Sequence, residues 1–208
     1  MLVAGLDEVG RGSLAGPLLV TAAMFNIDDE WIPEQATPIP GVRDSKKFTS
    51  RDKRTEVAAR IRASTLLVGE SSAWISAAEI NERGMGWALR TAFLLAAGGL
   101  NPVPDLLLVD GTVAVKGWAG NQRCTPKADG LWWPVSAASV LAKVARDEFM
   151  IALDSEHPGY GFSTNVGYGT TQHTEALRQM GPTPHHRTDF IRTVMASVGR
   201  QLPDELGI

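Results

Sequence analysis

Gly5-Leu6-Asp7-Glu8-Val9-Gly10-Arg11-Gly12 is the stretch on which the reading of this chain turns. It lies between two apolar runs, residues 2–6 and 17–25, joined through a glycine-rich turn, so the spacing predicts a hairpin-like pair of strands at the start. Carboxylates at the end of such a strand are costly. Two of them ~4 Å apart repel by about 4 kcal/mol at an effective dielectric of 20. Neighbours on a regular strand also face opposite sides, so Asp7 and Glu8 can share one site only if the strand ends or bulges there. Gly10 and Gly12, just downstream, favour such a break.

Two further acids occupy comparable positions. Asp110 closes the compact apolar run 106–109, which reads as a buried strand, and Asp129 sits in the polar stretch Lys127-Ala128-Asp129. Taken singly, each acid reads more often as a solvated loop residue or a helix cap. Taken together, four converging carboxylates are tolerable only with cations among them. Oxygen ligands of this kind suit Mg²⁺ or Mn²⁺, and paired ions ~3.5–4 Å apart stabilise both oxygens of an in-line phosphoryl displacement. The same opening stretch nearly spells a nucleotide-binding phosphate loop. However, Arg11 stands where that loop needs lysine, Gly12 where it needs a hydroxyl, and two carboxylates inside it would repel a triphosphate, so that reading is rejected.

The remaining pattern alternates helices and strands. Thr49-Ser50-Arg51-Asp52 reads as a capping box opening a helix to about residue 63, and 66–71 as a short strand. Ser76-Ala77-Ala78-Glu79 is a second capping box, followed by apolar residues at helical spacing (Met85, Leu89, Ala92, Phe93, Ala96) until Gly98-Gly99. A polar, irregular stretch precedes Trp133, and Pro134 fits the first turn of a helix to about residue 153. Two shorter helices are expected near 173–180 and 189–201. Residues 28–41, with Pro33, Pro38 and Pro40, read as a surface loop. This order argues for an α/β layered architecture in a single domain, 1–208.

Composition sets the outer bounds. The chain has 208 residues, 44% hydrophobic and 21% charged, enough for one sizeable core. Its net charge of −3 gives no overall basic field, so any phosphate binding must come from a local cluster. A single cysteine, Cys124, excludes an internal disulfide and suits a reducing compartment. No basic leader and no apolar run near ~18 residues is found, so the expectation is a cytoplasmic protein without a membrane span, monomeric by default.

Seven blocks, in order, resemble those of ribonuclease HII. They are Gly5 to Gly12 followed by Ala15-Gly16-Pro17, Asp44-Ser45-Lys46-Lys47, Val109-Asp110-Gly111, Lys127-Ala128-Asp129, residues 136–147, Gly167-Tyr168-Gly169-Thr170 and His185-His186-Arg187. The resemblance spans nearly the whole chain. It implies a ribonuclease H-like mixed β-sheet flanked by helices, with a helical C-terminal extension. The implied activity is cleavage of the RNA strand of RNA–DNA hybrids, and of duplex DNA on the 5′ side of an embedded ribonucleotide. Asp7, Glu8, Asp110 and Asp129 would be the catalytic carboxylates holding two divalent ions, Mg²⁺ or Mn²⁺. Gly10, Arg11 and Gly12 would read the ribose 2′-hydroxyl, Tyr168 would pack on the adjoining sugar, and Lys46 and Lys143 would contact the phosphate backbone.

The residues themselves admit these roles. Backbone groups freed by glycine can approach a 2′-hydroxyl, which both donates and accepts. Ser136, Ser139, Lys143 and Asp147 share one helical face, suited to phosphate contact, while small alanines populate another. The alternatives are a surface pair of Lys143 with Asp147, a half-buried loop tyrosine for Tyr168, and a solvated pair for Lys46 and Lys47. Asp147 reads as structural, with support to the site as the alternative. His185 and His186, being adjacent, lack helical zinc-ligand spacing, so structural or phosphate-near roles are expected. Trp132 and Trp133 either pack the sheet edge or meet duplex, which leaves the setting of Asp129 the least defined of the four. Two rival readings are the sister ribonuclease HIII class, for whose extra N-terminal domain an acidic pair at residue 7 leaves no room, and a non-catalytic hybrid-binding module.

Overall fold

The computed structural model describes residues 1–28, 30, 36–197 and 199. Part of the expected 28–41 loop, and the end of the helix expected over 189–201, fall outside the described residues. Five strands form one sheet: β1 (Leu2–Val9), β2 (Leu18–Asn26), β3 (Leu67–Ile75), β4 (Leu106–Asp110) and β5 (Gln122–Thr125), in the order β3-β2-β1-β4-β5. β1 pairs antiparallel with β2 and parallel with β4, which pairs parallel with β5, so the sheet is mixed. The expected opening hairpin is present. β2 is buried along almost its whole length, whereas β3 alternates between partly covered and exposed residues, as an edge strand covered on one face does.

Seven helices accompany the sheet among the described residues: α1 (Arg51–Ala63), α2 (Ala77–Arg83), α3 (Met85–Gly98), α4 (Trp133–Glu156), α5 (Phe162–Asn165), α6 (Thr171–Met180) and α7 (Thr188–Ala196). The cap of α1 is Ser50, whose hydroxyl accepts from the Lys53 amide, rather than Thr49. The Ser76–Glu79 capping box is formed in both directions. What the sequence reads as one helix from there to Gly98 is two, because Gly84 at φ 79° ends α2 in a conformation that helix interiors do not adopt. β5 is the strand missing from the sequence reading: Gln122–Thr125 is short and polar and carries no apolar alternation.

The chain divides into two compact units. The first comprises residues 1–9, 19–73 and 90–144, and the second 10–18, 74–89 and 145–208. In the first, Val3, Phe25, Ile61, Leu108, Val135 and Leu141 form the core together with Trp132 and Trp133. Both tryptophans are buried, and Trp133 meets Phe25 edge-on at 4.6 Å between ring centres, so they are core residues. β1 touches the first turn of α4 backbone to backbone. A Cβ added at Gly5 would stand 2.1 Å from the Pro134 carbonyl carbon, which only glycine avoids. In the second unit, Met150, Leu153, Phe162, Leu177, Ile191 and Met195 form a separate core.

Candidate active site

β1 and β4 run parallel, and their pairing ends at Leu6–Val109. Asp7 and Glu8 therefore stand one and two residues past the last β1–β4 pair, and Asp110 one residue past it on β4. One carboxylate oxygen from each of these three lies within 4.8 Å of the other two. The expectation that β1 must end or bulge here needs correcting on one side. Its ladder with β2 continues without a bulge through Asp7–Thr21 and Glu8–Val20. The β1–β4 ladder is what ends here, leaving Asp7, Glu8 and Asp110 beyond its last pair. Asp7 also turns back on its own strand, its Oδ1 accepting the Glu8 amide at 2.8 Å.

Asp7 is only 4% exposed. Burial first, then the charges of Glu8, Asp110 and Asp129, push its carboxyl up to about 8, against a hydrogen bond from Ser139 that favours the ionised form. Asp110 is raised in the same way, by burial and by Asp129, although its Oδ1 accepts the Ala128 amide at 2.7 Å. The Ala128–Gly130 turn of 3₁₀-helix holds Asp129, which is buried and receives the Lys46 ammonium at 3.0 Å. Burial works to lower the Lys46 pKa, but the hydrogen bond and charge of Asp129 outweigh it and the net shift is upward. Three oxygen donors this close, with the pKa of one pushed up by burial and then by its neighbours' charges, form a set that a hard divalent cation would relieve.

The serine face of α4 has a different use from the one expected. Ser136 and Ser139 are buried, Ser136 donating to the Asp129 carbonyl at 2.7 Å and Ser139 meeting the Ser45 hydroxyl at 2.8 Å. They tie the acid-bearing turn and the Ser45–Lys47 turn to the helix and present nothing to a phosphate. Lys143 is half-buried further along the same helix.

Gly10, Arg11 and Gly12 belong to the second unit, where residues 10–18 are held by two fully buried arginines. Arg146 donates to the Pro17, Val166 and Ala15 carbonyls and to the Ser13 hydroxyl, at 2.8–3.1 Å. Arg187 donates to the Gly16 carbonyl twice, at 3.0 and 2.8 Å, and to the Arg11 carbonyl at 3.0 Å. Burial lowers the pKa of both arginines, that of Arg187 to about 9 with the Arg146 charge adding to it. Gly10 has φ 85°, and a Cβ there would stand 2.2 Å from Arg146 Nε, whereas a Cβ on Gly12 would meet nothing. The Arg146 guanidinium also lies 5.8 Å from the ring centre of half-exposed Tyr168. The sequence contains both arginines inside the quoted blocks, yet their partners are mainly backbone carbonyls, which leave no signal in residue type.

A mixed sheet whose strand ends gather carboxylates in this way defines a class, the metal-dependent nucleases with a ribonuclease H-like fold. Comparison with known proteins narrows it. The family model for ribonuclease HII matches residues 4–196. A ribonuclease HII of Cereibacter sphaeroides (strain KD131) is 44% identical over 90% of this chain and 83% of its own, and one of Geobacillus kaustophilus is 43% identical over 90% and 67%. The crystal structure of ribonuclease H2 from Pyrococcus horikoshii matches with a TM-score of 0.76 and 26% identity over 97% of this chain and all of that one. A Bst-RNase HIII structure in complex with Mn²⁺ shares the fold, with a TM-score of 0.68 and 18% identity over 97% of this chain and 71% of that one. The chain belongs to the ribonuclease HII family. It is a metal-dependent endoribonuclease acting on RNA–DNA hybrids, and no helix among the described residues is long and apolar enough to cross a membrane.

Proposed function

We propose that this enzyme hydrolyses the phosphodiester on the 5′ side of a ribonucleotide, in hybrids and at single ribonucleotides within duplex DNA, leaving 3′-hydroxyl and 5′-phosphate ends. The observation that carries the reading is the gathering of Asp7, Glu8 and Asp110 within 4.8 Å, with Asp129 close enough to raise the pKa of two of them. These four carboxylates would hold two divalent ions, Mg²⁺ or Mn²⁺. Once bound, the ions supply Lewis acidity to the attacking water and to the leaving 3′-oxygen. Asp7, buried and tied to Ser139 and the Glu8 amide, fixes the ligand geometry. Ser136 and the Ala128 amide hold Asp129 and Asp110 in place. Lys46 neutralises Asp129 and, on its exposed side, offers an ammonium to a backbone phosphate.

Substrate selection follows from the remaining residues. Gly10, Arg11 and Gly12 present backbone donors and acceptors to the 2′-hydroxyl, Tyr168 packs on the neighbouring sugar, and Lys143 adds a phosphate contact. The buried Arg146 and Arg187 support this role by fixing the carbonyls of the loop, so that the reading groups are held in place before binding. The test is cleavage of a DNA duplex with one ribonucleotide, compared with the all-DNA duplex, in Mg²⁺ and in Mn²⁺, with the product ends identified. The expected product is a single cut 5′ to the ribonucleotide, with a 3′-hydroxyl and a 5′-phosphate. Cleavage of all-DNA at the same rate, or 2′,3′-cyclic phosphate ends, would overturn the reading.

A further inference from the structure

The chain's four histidines sort into two pairs of opposite chemistry. His173 and His186 are fully buried and closed to ligands. His173 Nδ1 donates to the Tyr168 carbonyl at 2.9 Å, His186 Nδ1 accepts the Thr183 amide at 2.9 Å, and the two Nε2 atoms meet at 3.0 Å. His157 and His185 are only partly covered. Their rings lie 5.2 Å apart, and among the described residues no protein group hydrogen-bonds to their ring nitrogens. Glu156 stands beside them, and ligand atoms from all three residues lie within 4.8 Å of one another.

We propose that Glu156, His157 and His185 form a second metal site with its own ligand set, selective for Zn²⁺ or a chemically similar late-transition divalent ion. Two imidazoles and a carboxylate are a nitrogen-rich, borderline-soft set. Mg²⁺, which demands an octahedron of oxygens, is poorly served by it. Three protein ligands leave a fourth tetrahedral position for water. Zn–N and Zn–O bonds of ~2.0–2.1 Å place tetrahedral ligands about 3.4 Å apart, so side-chain adjustments of an ångström or so close the set.

The backbone beneath the ligands is already fixed. Glu156 is the last residue of α4, and the His157 amide closes that helix on the Leu153 carbonyl at 3.0 Å. The negative end of the helix dipole there favours a cation. The His185 carbonyl accepts the Gly16 amide at 2.9 Å, and its own amide donates to the Thr183 hydroxyl at 3.3 Å. The adjacency of His185 and His186 is therefore no obstacle, because the partner of His185 is His157, far earlier in the chain. An ion held here ties the end of α4 to the segment that delivers Arg187, and so stiffens the anchor of the Arg11 and Gly16 carbonyls.

The site is independent of the cleavage reading, and its test is arranged accordingly. Metal-stripped full-length protein carrying Asp7→Asn, to weaken the carboxylate cluster, is titrated with Zn²⁺ alone by calorimetry and followed by thermal unfolding. The same is done after adding His185→Ala or, separately, His157→Gln, with circular dichroism checking that each variant folds. The parent is expected to bind one Zn²⁺ and to gain about 5–10 °C in Tm at a 100-fold excess over Kd. Either histidine variant should weaken that binding at least tenfold. Co²⁺ in place of Zn²⁺ should give the visible absorption of a tetrahedral nitrogen–oxygen site in the parent and lose it in the variants. Absence of Zn²⁺ binding in the parent, or undiminished binding and Tm gain in both histidine variants, would overturn the proposal.

Discussion

Asp7 sits where burial, and then neighbouring charge, disfavours its ionised form, and its pH behaviour has a definite sign. Its folded pKa is raised from 3.8 to about 8, so its contribution to stability is fully present below about 3.8 and lost as pH rises towards 8. Urea unfolding of metal-free protein across that range should show this loss, and Asp7→Asn should remove much of it; an unchanged slope in the variant would contradict the burial argument. The two loop glycines should separate as sharply. Gly10→Ala forces a left-handed φ and a clash with Arg146 and should cost more than about 2 kcal/mol, whereas Gly12→Ala should leave the unfolding midpoint nearly unchanged and lower only cleavage at ribonucleotide junctions. At this scale the sequence was informative about the acids, because a carboxylate closing an apolar strand is visible as a cost. It was silent on Ser139 and Lys46 as partners of Asp7 and Asp129, since those pairings depend on residues far apart in the chain.

Elements are held here largely by groups whose partners leave no trace in composition. Arg146 reaches from α4 to three carbonyls and a hydroxyl, and lysine offers one charged point where arginine offers a fork. Arg146→Lys should therefore destabilise by about 3 kcal/mol, read in denaturant unfolding, with hybrid affinity falling more than in a surface arginine control. The His173–His186 pair fixes α6 to the segment before α7 with both rings neutral. Burial, then the neighbouring His173, depress the His186 pKa from 6.5 to about 3, so stability held above pH 6.5 is lost as pH falls towards 3. Proton NMR should find His186 uncharged at pH 5; a midpoint near 6.5 would contradict this. The helix start at Ser76, that of α1 to within one residue, and the apolar strands were legible because caps and periodicity are local. The split at Gly84 was not, because a glycine within a helical pattern does not by itself declare a positive φ, and neither was the polar strand β5, which is decided by its pairing with β4.

Across the whole molecule, membership of the ribonuclease HII family and the mixed sheet agree with the order of motifs along the chain. That order was readable because the blocks sit at strand ends and turns, where residue type is constrained by chemistry as well as by packing. The central claim is that the carboxylates at the ends of β1 and β4 perform the cleavage while other residues bind the duplex. It is tested most directly by comparing the parent and Asp7→Asn on one duplex containing a single ribonucleotide, measuring cleavage and Kd together in Mg²⁺. The account predicts that Asp7→Asn binds within a few-fold of the parent and cuts more than about 100-fold more slowly. Full cleavage by Asp7→Asn would contradict it.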